Sequence, residues 1–283
     1  MKMQPVWETE EIYCAHAVTD GSTMAAMHIH EVYEIFMACS GGIRYLVNDR
    51  IYTLAPGDVL LFTDTDLHKP SVPAGTVYDR YVITFPPQLL RRCGGEELLR
   101  CFEAGRNGGS HRLSLSTEEQ AEFFALVQAL EAQAKQPVCP QLGQWVELCR
   151  LLLFLGRIAG RAPQELPALR QSLHPQIRTV LEYIDENFRQ NIPLDTLSAL
   201  CFLDKHYLCR LFRRETGFCI HDYITYRRLA HAIRLLRAGE SVAGAARRSG
   251  FGSDTFFITT FKKTLGTTPS RYARQQREQQ LPK

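Results

Sequence analysis

The sequence predicts an α+β chain of more than one domain: a β-barrel or sandwich with two flanking helices, followed by an all-α domain with two helix-turn-helix motifs. Three observations predict it. Short runs that alternate apolar and polar residues, separated by turn signals, fill residues 10–85. Helical periodicity takes over near Ser116 and resumes after one break, reaching about Gln276. Within that second half "YLCRLFRRETG" (207–217) returns as "FFITTFKKTLG" (256–266), an internal repeat at an offset of 49. The offset pairs Leu208 with Phe257, Phe212 with Phe261, Arg213 and Arg214 with Lys262 and Lys263, and Gly217 with Gly266.

In chain order, "YLVNDRIYTL" reads as a hairpin, "APGD" as a turn and "VLLF" as a buried strand. "STEEQAEFFALVQALEAQAK" opens with a capping box, Ser116 with Glu119, and places Phe123, Leu126, Val127 and Leu130 on one helical face. A second helix, "LGQWVELCRLLLFLGRIAG", follows Pro140; its wide apolar face suits packing on the β domain, and such a stripe can also serve a dimer. "GRAPQELPALRQSLHP" has three prolines and little periodicity and reads as a linker. The expected domains are therefore residues 1–160 (helices about 116–160), a linker at 161–174, a helical domain at 175–276 with motifs at about 194–217 and 241–266, and a tail at 277–283.

Composition narrows the function classes. At 283 residues and 45% hydrophobic content the chain has the makeup of a globular protein of about two domains. The N-terminus lacks a signal-type apolar stretch and the longest apolar run, "LLLFLG", is short, so a soluble cytoplasmic protein with no membrane partner is expected. Nine cysteines without C-x-x-C spacing read as scattered reduced thiols. The overall charge of +3 conceals an asymmetry: residues 172–283 hold 18 Lys and Arg against 10 Asp and Glu, while residues 1–171 hold 15 against 20. A basic C-terminal part beside an acidic N-terminal part points to a polyanion for one half only. No G-x-x-x-x-G-K-[ST], G-x-G-x-x-G or G-x-S-x-G motif is present.

Each repeat copy is preceded by a shorter helix: "PLDTLSALC", with Pro193 at its start, and "SVAGAARRSG", with Ser241 as N-cap and Gly250 at its left-handed end. The second helices should run from about Asp204 to Glu215 and from Ser253 to Leu265. Leu208, Leu211 and Phe212 in one, and Phe256, Phe257 and Phe261 in the other, take the inner face. Lys205, His206, Cys209, Arg210 and Arg213 are then exposed in the first, and Asp254, Thr255, Ile258, Thr259 and Lys262 in the second. Helices of this kind put N-terminal side chains against base edges, while Lys and Arg near their ends, Arg214 and Lys263 included, meet phosphates. The intervening helix, "HDYITYRRLAHAIRLLRAG", would hold the two readers about one turn of duplex apart.

"YITYRRLAHAIRLL", "SGFGSDTFFITTFKKTLGTTPSRY" and "YLCRLFRRETG" together resemble the signature of the AraC/XylS family of bacterial transcription regulators over roughly residues 175–275. The resemblance implies a ligand-responsive regulator that binds double-stranded promoter DNA, with His206, Cys209 and Arg210 at base-reading positions of the first helix. Asp254, Thr255, Ile258 and Thr259 match those of the second. It further implies a small-molecule effector and a homodimer, with RNA polymerase as an additional candidate partner. Two departures stand out: the family usually presents an arginine where this sequence has Thr259, and Ala245-Ala246 replaces a bulkier pair. Arg210, able to bind guanine bidentately, is expected to carry more of the specificity, and Ile258 to touch a thymine methyl.

In the N-terminal half, "MHIHEVYEIFMACSGG" has His28 and His30 with Glu34 four residues later, and His68 follows "PGDVLLFTDTDLH". This spacing, with Pro56, Gly57 and Asp58, resembles the two motifs of cupin barrels, so the N-terminal domain is expected to be cupin-like. Three imidazoles and a carboxylate suit a divalent transition metal. Regulators of the resembled family commonly use this pattern as an effector pocket, the reading preferred here, with no cofactor expected. His28, His30, Glu34 and His68 are the principal pocket residues and also the metal candidates; Tyr33, Tyr45 and Phe62 are secondary. The alternative is a metal-dependent cupin enzyme, or a metal sensor, fused to a DNA-binding module.

Overall fold

The computed structural model describes residues 5–8, 12–20, 28, 32–48, 50–91, 95–106, 109–161 and 173–280. Nine strands build the N-terminal half: β1 (Pro5–Glu8), β2 (Tyr13–Thr19), β3 (Tyr33–Ala38), β4 (Ile43–Val47), β5 (Arg50–Leu54), β6 (Asp58–Phe62), β7 (His68–Ser71), β8 (Tyr78–Phe85) and β9 (Arg112–Ser114). They form a larger sheet in the order β1-β2-β8-β3-β6-β9 and a smaller one, β5-β4-β7, with antiparallel neighbours throughout. The expected hairpin is β4–β5, pairing Tyr45 with Tyr52 across the two strands.

The two-residue period of a strand decides what lies where. Along β3, Tyr33, Ile35 and Met37 join one apolar cluster with the helices, while Phe36 and Ala38 join another with Tyr45, Tyr52, Phe62 and Tyr78 between the two sheets. The larger sheet is covered on its outer side by α3 (Thr117–Ala134) and α4 (Pro140–Ala159). The capping box forms as expected: the Ser116 hydroxyl accepts from Glu119 N, and Glu119 accepts from Ser116 N at 2.9 Å. Sequence periodicity missed α1 (Gln88–Arg91), a 3-10 turn (Glu96–Leu99) and α2 (Arg100–Arg106), which are too short to show a helical repeat.

The C-terminal half is helical: α5 (Pro175–Asn187), α6 (Leu194–Cys201), α7 (Lys205–Thr216), α8 (Ile220–Arg237), α9 (Val242–Arg248), α10 (Asp254–Leu265) and α11 (Pro269–Gln280). Its core joins Ile184, Leu208, Phe212, Leu229, Ile233, Phe257, Phe261 and Tyr272. Leu46, Ile51 and Leu67 of the small sheet and its turn belong to that same cluster, so the β-rich half and the helical half share apolar contact. Two turns carry left-handed residues, Phe202 directly after α6 (φ 54) and Gly250 two positions beyond the end of α9 (φ 81), one residue out of the repeat's register. For a non-glycine residue that conformation costs about 1–2 kcal/mol.

Candidate functional site

The two longer helices of the repeat are built the same way. Asp204 caps α7, its carboxylate accepting from His206 N at 2.9 Å and Tyr207 N at 3.1 Å. These backbone donors hold the carboxyl below its usual range. Ser253 caps α10 by accepting from Phe256 N at 3.3 Å. Both helices end on left-handed glycines, Gly217 (φ 84) and Gly266 (φ 71), whose N–H groups close onto Arg213 O at 2.8 Å and Lys262 O at 2.9 Å. The offset of the repeat thus reproduces cap, helix and stop.

Burial sorts the side chains as the periodicity predicts, with one correction. Leu208, Leu211 and Phe212 are buried in α7, and Phe257 and Phe261 in α10. Lys205, His206, Cys209, Arg210, Arg213 and Arg214 are exposed on α7; Asp254, Thr255, Ile258, Thr259, Lys262 and Lys263 are exposed on α10. Phe256, expected on the inner face, is 43% exposed. Three residues in succession, Phe256 to Ile258, cannot all face inward on a helix, and Phe257 takes the core position. Lys205 pairs with Asp195 and Arg214 lies 3.2 Å from Glu215, so a phosphate would have to displace a carboxylate at either.

Between the readers, α8 gathers cations. Arg227 lies 3.0 Å from Asp185, and Arg228 donates to the carbonyls of Phe188 and Gln190, both at 2.7 Å, tying α8 to the end of α5. Burial, then the nearby charge of Arg234 and other arginines, pushes His231 down to about 4, and its Nδ1 is 3.0 Å from Ser249 Oγ.

Inside the β half, Glu34, Tyr45, Phe62 and His68 converge between the sheets. His68 Nε2 lies 3.8 Å from Glu34 Oε2, and its ring stacks on Phe62 at 4.1 Å. His68 Nδ1 is 2.8 Å from the Asp66 carbonyl, which can only accept, so Nδ1 carries the proton. His28 meets His68 edge-on at 4.3 Å through an isolated bridge, not along a strand. Tyr33 is a correction: it sits on the opposite face of β3, packed on Phe85 and Phe102, because an odd position on that strand points away from Glu34. His30 lies outside the described residues. Among the described residues no group of three or more His, Cys, Asp or Glu side chains is set to hold a metal ion.

Two features escaped the sequence reading. Tyr78 brings its hydroxyl 2.9 Å from that of Tyr45, and burial, together with the charge of Glu34, raises both phenols, Tyr78 to about 12. Asp66 braces the turn that delivers His68: it accepts from Asn48, Thr63 and His111, and although burial opposes ionisation, those bonds keep its carboxyl well below the usual range. Nothing local marked either: along "YDRYVITF" Tyr78 alternates with Arg80, Val82 and Thr84, a set no more apolar than the one that faces the other way.

The outer face of the same small sheet meets the helical half. Ser71 Oγ donates to Gly217 O at 3.0 Å, and Lys69 Nζ stands 5.9 Å from the Phe218 ring and 5.6 Å from that of Tyr226. Arg237 lies 3.4 Å from Asp64.

Residues 11–140 match a family model described as an AraC-like ligand binding domain, and residues 197–275 match one described as a helix-turn-helix domain. The chain belongs to the AraC family of transcription regulators. It is similar to the HTH-type transcriptional activator RhaR of Yersinia pseudotuberculosis, at 27% identity over 248 residues, 87% of this chain and 83% of that one. It is also similar to the HTH-type transcriptional regulator NimR of Escherichia coli K12, at 24% over 270 residues, 94% and 88% of the two chains. A solved structure of ToxT from Vibrio cholerae overlaps 94% of this chain and 100% of its own at 14% identity, with a TM-score of 0.38. This AraC-family chain is a DNA-binding transcription regulator with a ligand-binding domain, and no helix among its described residues is long and apolar enough to cross a membrane.

Proposed function

We propose that this regulator takes its effector between the two sheets and transmits its presence through the small sheet to the first reader. One observation carries the proposal: β7 and β4 each present a pocket residue inward and a contact outward. His68 faces Glu34 and Phe62, while Lys69 and Ser71 on the same strand touch Phe218, Tyr226 and Gly217. Tyr45 faces Tyr78, while Leu46 joins the apolar cluster of the helical half. A ligand that repositions Tyr45 or His68 changes the fit of the opposite face, and so favours one placement of α7 over another. Only an effector with different affinity for the two arrangements can do this.

Glu34, Tyr45, His68 and Tyr78 offer a carboxylate, two hydroxyls and an imidazole between aromatic walls. That set suits a small molecule carrying hydroxyl or amino groups on an apolar framework, bound directly by side chains without a resident metal or cofactor. Arg210, His206 and Cys209 read bases from α7, and Asp254, Thr255, Ile258 and Thr259 from α10. Lys205, Arg213, Arg214, Lys262 and Lys263 grip phosphates. Homodimerisation uses α4, where Leu142, Val146 and Leu153 are exposed around Cys149 at alternating four- and three-residue spacing, the period of a coiled-coil seam. The dimer works in the cytoplasm, on promoters and with RNA polymerase.

The test is thermal unfolding of the purified protein against a panel of sugars, amino acids and polyamines, with elemental analysis alongside. A binder should raise the melting temperature of wild type and not of Glu34→Gln. Lys69→Ala should keep that rise but lose the ligand's effect on DNA affinity. Retained DNA control in Lys69→Ala would sink the transmission route, and stoichiometric metal would sink the metal-free pocket.

A further inference from the structure

The two turns that introduce the reading helices adopt the same left-handed conformation under opposite constraints. At Gly250 the turn lies against the end of α5, where a Cβ would overlap the Arg189 carbonyl, so glycine is required on both counts. The residue that follows, Phe251, is 7% exposed and belongs to the helical core. In the first copy the left-handed position holds Phe202, and its ring is 95% exposed. The inward role falls instead to Leu203, which packs against the core.

Phe202 therefore adds nothing to the free fold. Its backbone disfavours any side chain other than glycine, asparagine or aspartate, and its ring stands in water. Its place in the motif suggests what covers it. Phe202 lies two residues before Asp204, the cap of α7, and Lys205, His206, Cys209 and Arg210 follow on the exposed face. Reading helices enter the major groove by their N-terminal ends, and the exposed ring stands in the turn that leads into that end.

We infer that Phe202 is a DNA contact of the first reader, laying its ring on an apolar group at the edge of the half-site, a thymine methyl or the face of a deoxyribose. The inference rests on the assignment of α7 as a reader. It gives the first copy an apolar anchor that the second copy, with glycine at that turn, lacks.

The experiment compares wild type with Phe202→Gly, Phe202→Asn and Phe202→Tyr on a duplex that wild type enriches from a random library. Glycine and asparagine both suit the left-handed turn, so the melting temperature should hold or rise. Affinity for the enriched duplex should fall about five- to tenfold in both, as for loss of one good groove contact. Phe202→Tyr, which keeps the ring, should bind like wild type. The slope of log K against log salt should not change, because no phosphate contact is lost; affinity for random duplex should hold if the ring meets a thymine methyl and fall alongside if it meets the sugar. Replacing each thymine by deoxyuridine then separates the sources: a position where the methyl matters to wild type and not to Phe202→Gly identifies thymine, and its absence identifies the sugar. Unchanged affinity in Phe202→Gly and Phe202→Asn would overturn the inference; if those variants also failed to activate transcription with purified RNA polymerase, the ring would belong to a protein interface. A changed salt slope would overturn it too, because the loss would then be that of a phosphate contact. A wild type that enriches no sequence would instead bring down the reader assignment.

Discussion

The two helix-turn-helix copies share a backbone and differ in what they hold out to solvent. Both run from a side-chain cap to a left-handed glycine, and both bury an apolar residue at matching places, Leu208 with Phe257 and Phe212 with Phe261. The exposed face of α7 carries Lys205, His206, Arg210, Arg213 and Arg214, whereas that of α10 carries Asp254, Thr255, Ile258 and Thr259 before Lys262 and Lys263. The end of the first copy and α8 after it also touch the sensor, through Gly217, Phe218 and Tyr226. The repeat thus conserves within one chain what folding needs, and leaves free what recognition and control need.

The largest expected effect breaks the part the copies share. Phe212→Ala and Phe261→Ala should each destabilise the helical half by about 3–5 kcal/mol, since both rings are fully buried; urea unfolding followed by circular dichroism measures it. Comparable losses would show that the two copies are equal structural units.

Arg210→Ala and Thr259→Ala sharpen the difference. The first should cost about 1–3 kcal/mol on specific duplex and relax preference at one base pair, and the second should cost less. Lys263→Ala, by contrast, should weaken all duplexes alike and lower the salt slope by about 1. Fluorescence anisotropy titrations at several salt concentrations would report these values, and equal loss of Arg210→Ala on random duplex would contradict its role.

The turns separate the copies next. Gly250→Ala should lose about 1 kcal/mol or more, from the left-handed backbone and the Arg189 carbonyl together. The same exchange has no counterpart at Phe202, where glycine should stabilise. Differential scanning calorimetry of the two variants gives opposite signs if the turns differ as described.

The smallest effect concerns pH. His231 is pushed from 6.5 to about 4, chiefly by burial and then by its arginine neighbours, so the folded chain keeps it neutral where the unfolded chain takes up a proton. Stability should fall as pH drops from about 6.5 towards 4, and His231→Gln should flatten that fall. An unchanged acid limb in the variant would remove His231 from the account.

Much of this was legible in the sequence because it rests on local rules. Cap residues, the 3.6-residue period and glycines at helix ends located α3, α4, α7 and α10 and sorted the exposed residues of both readers, Phe256 aside. The pocket was half legible. Glu34, Tyr45, Phe62 and His68 do converge, yet strand alternation turned Tyr33 to the other face, and Tyr78 joined from a strand far along the chain.

By itself the sequence determined the tandem readers, since each is a short segment whose caps, core positions and charges are adjacent in the chain. Tertiary structure alone decided what depends on distant segments meeting: Asn48 and His111 holding the Asp66 turn that delivers His68, the small sheet showing one face to the pocket and the other to Gly217, and Phe202 left in solvent while the turn at Gly250 is closed by Arg189. Such contacts depend on sheet pairing and helix packing between residues dozens of positions apart, which no local pattern encodes.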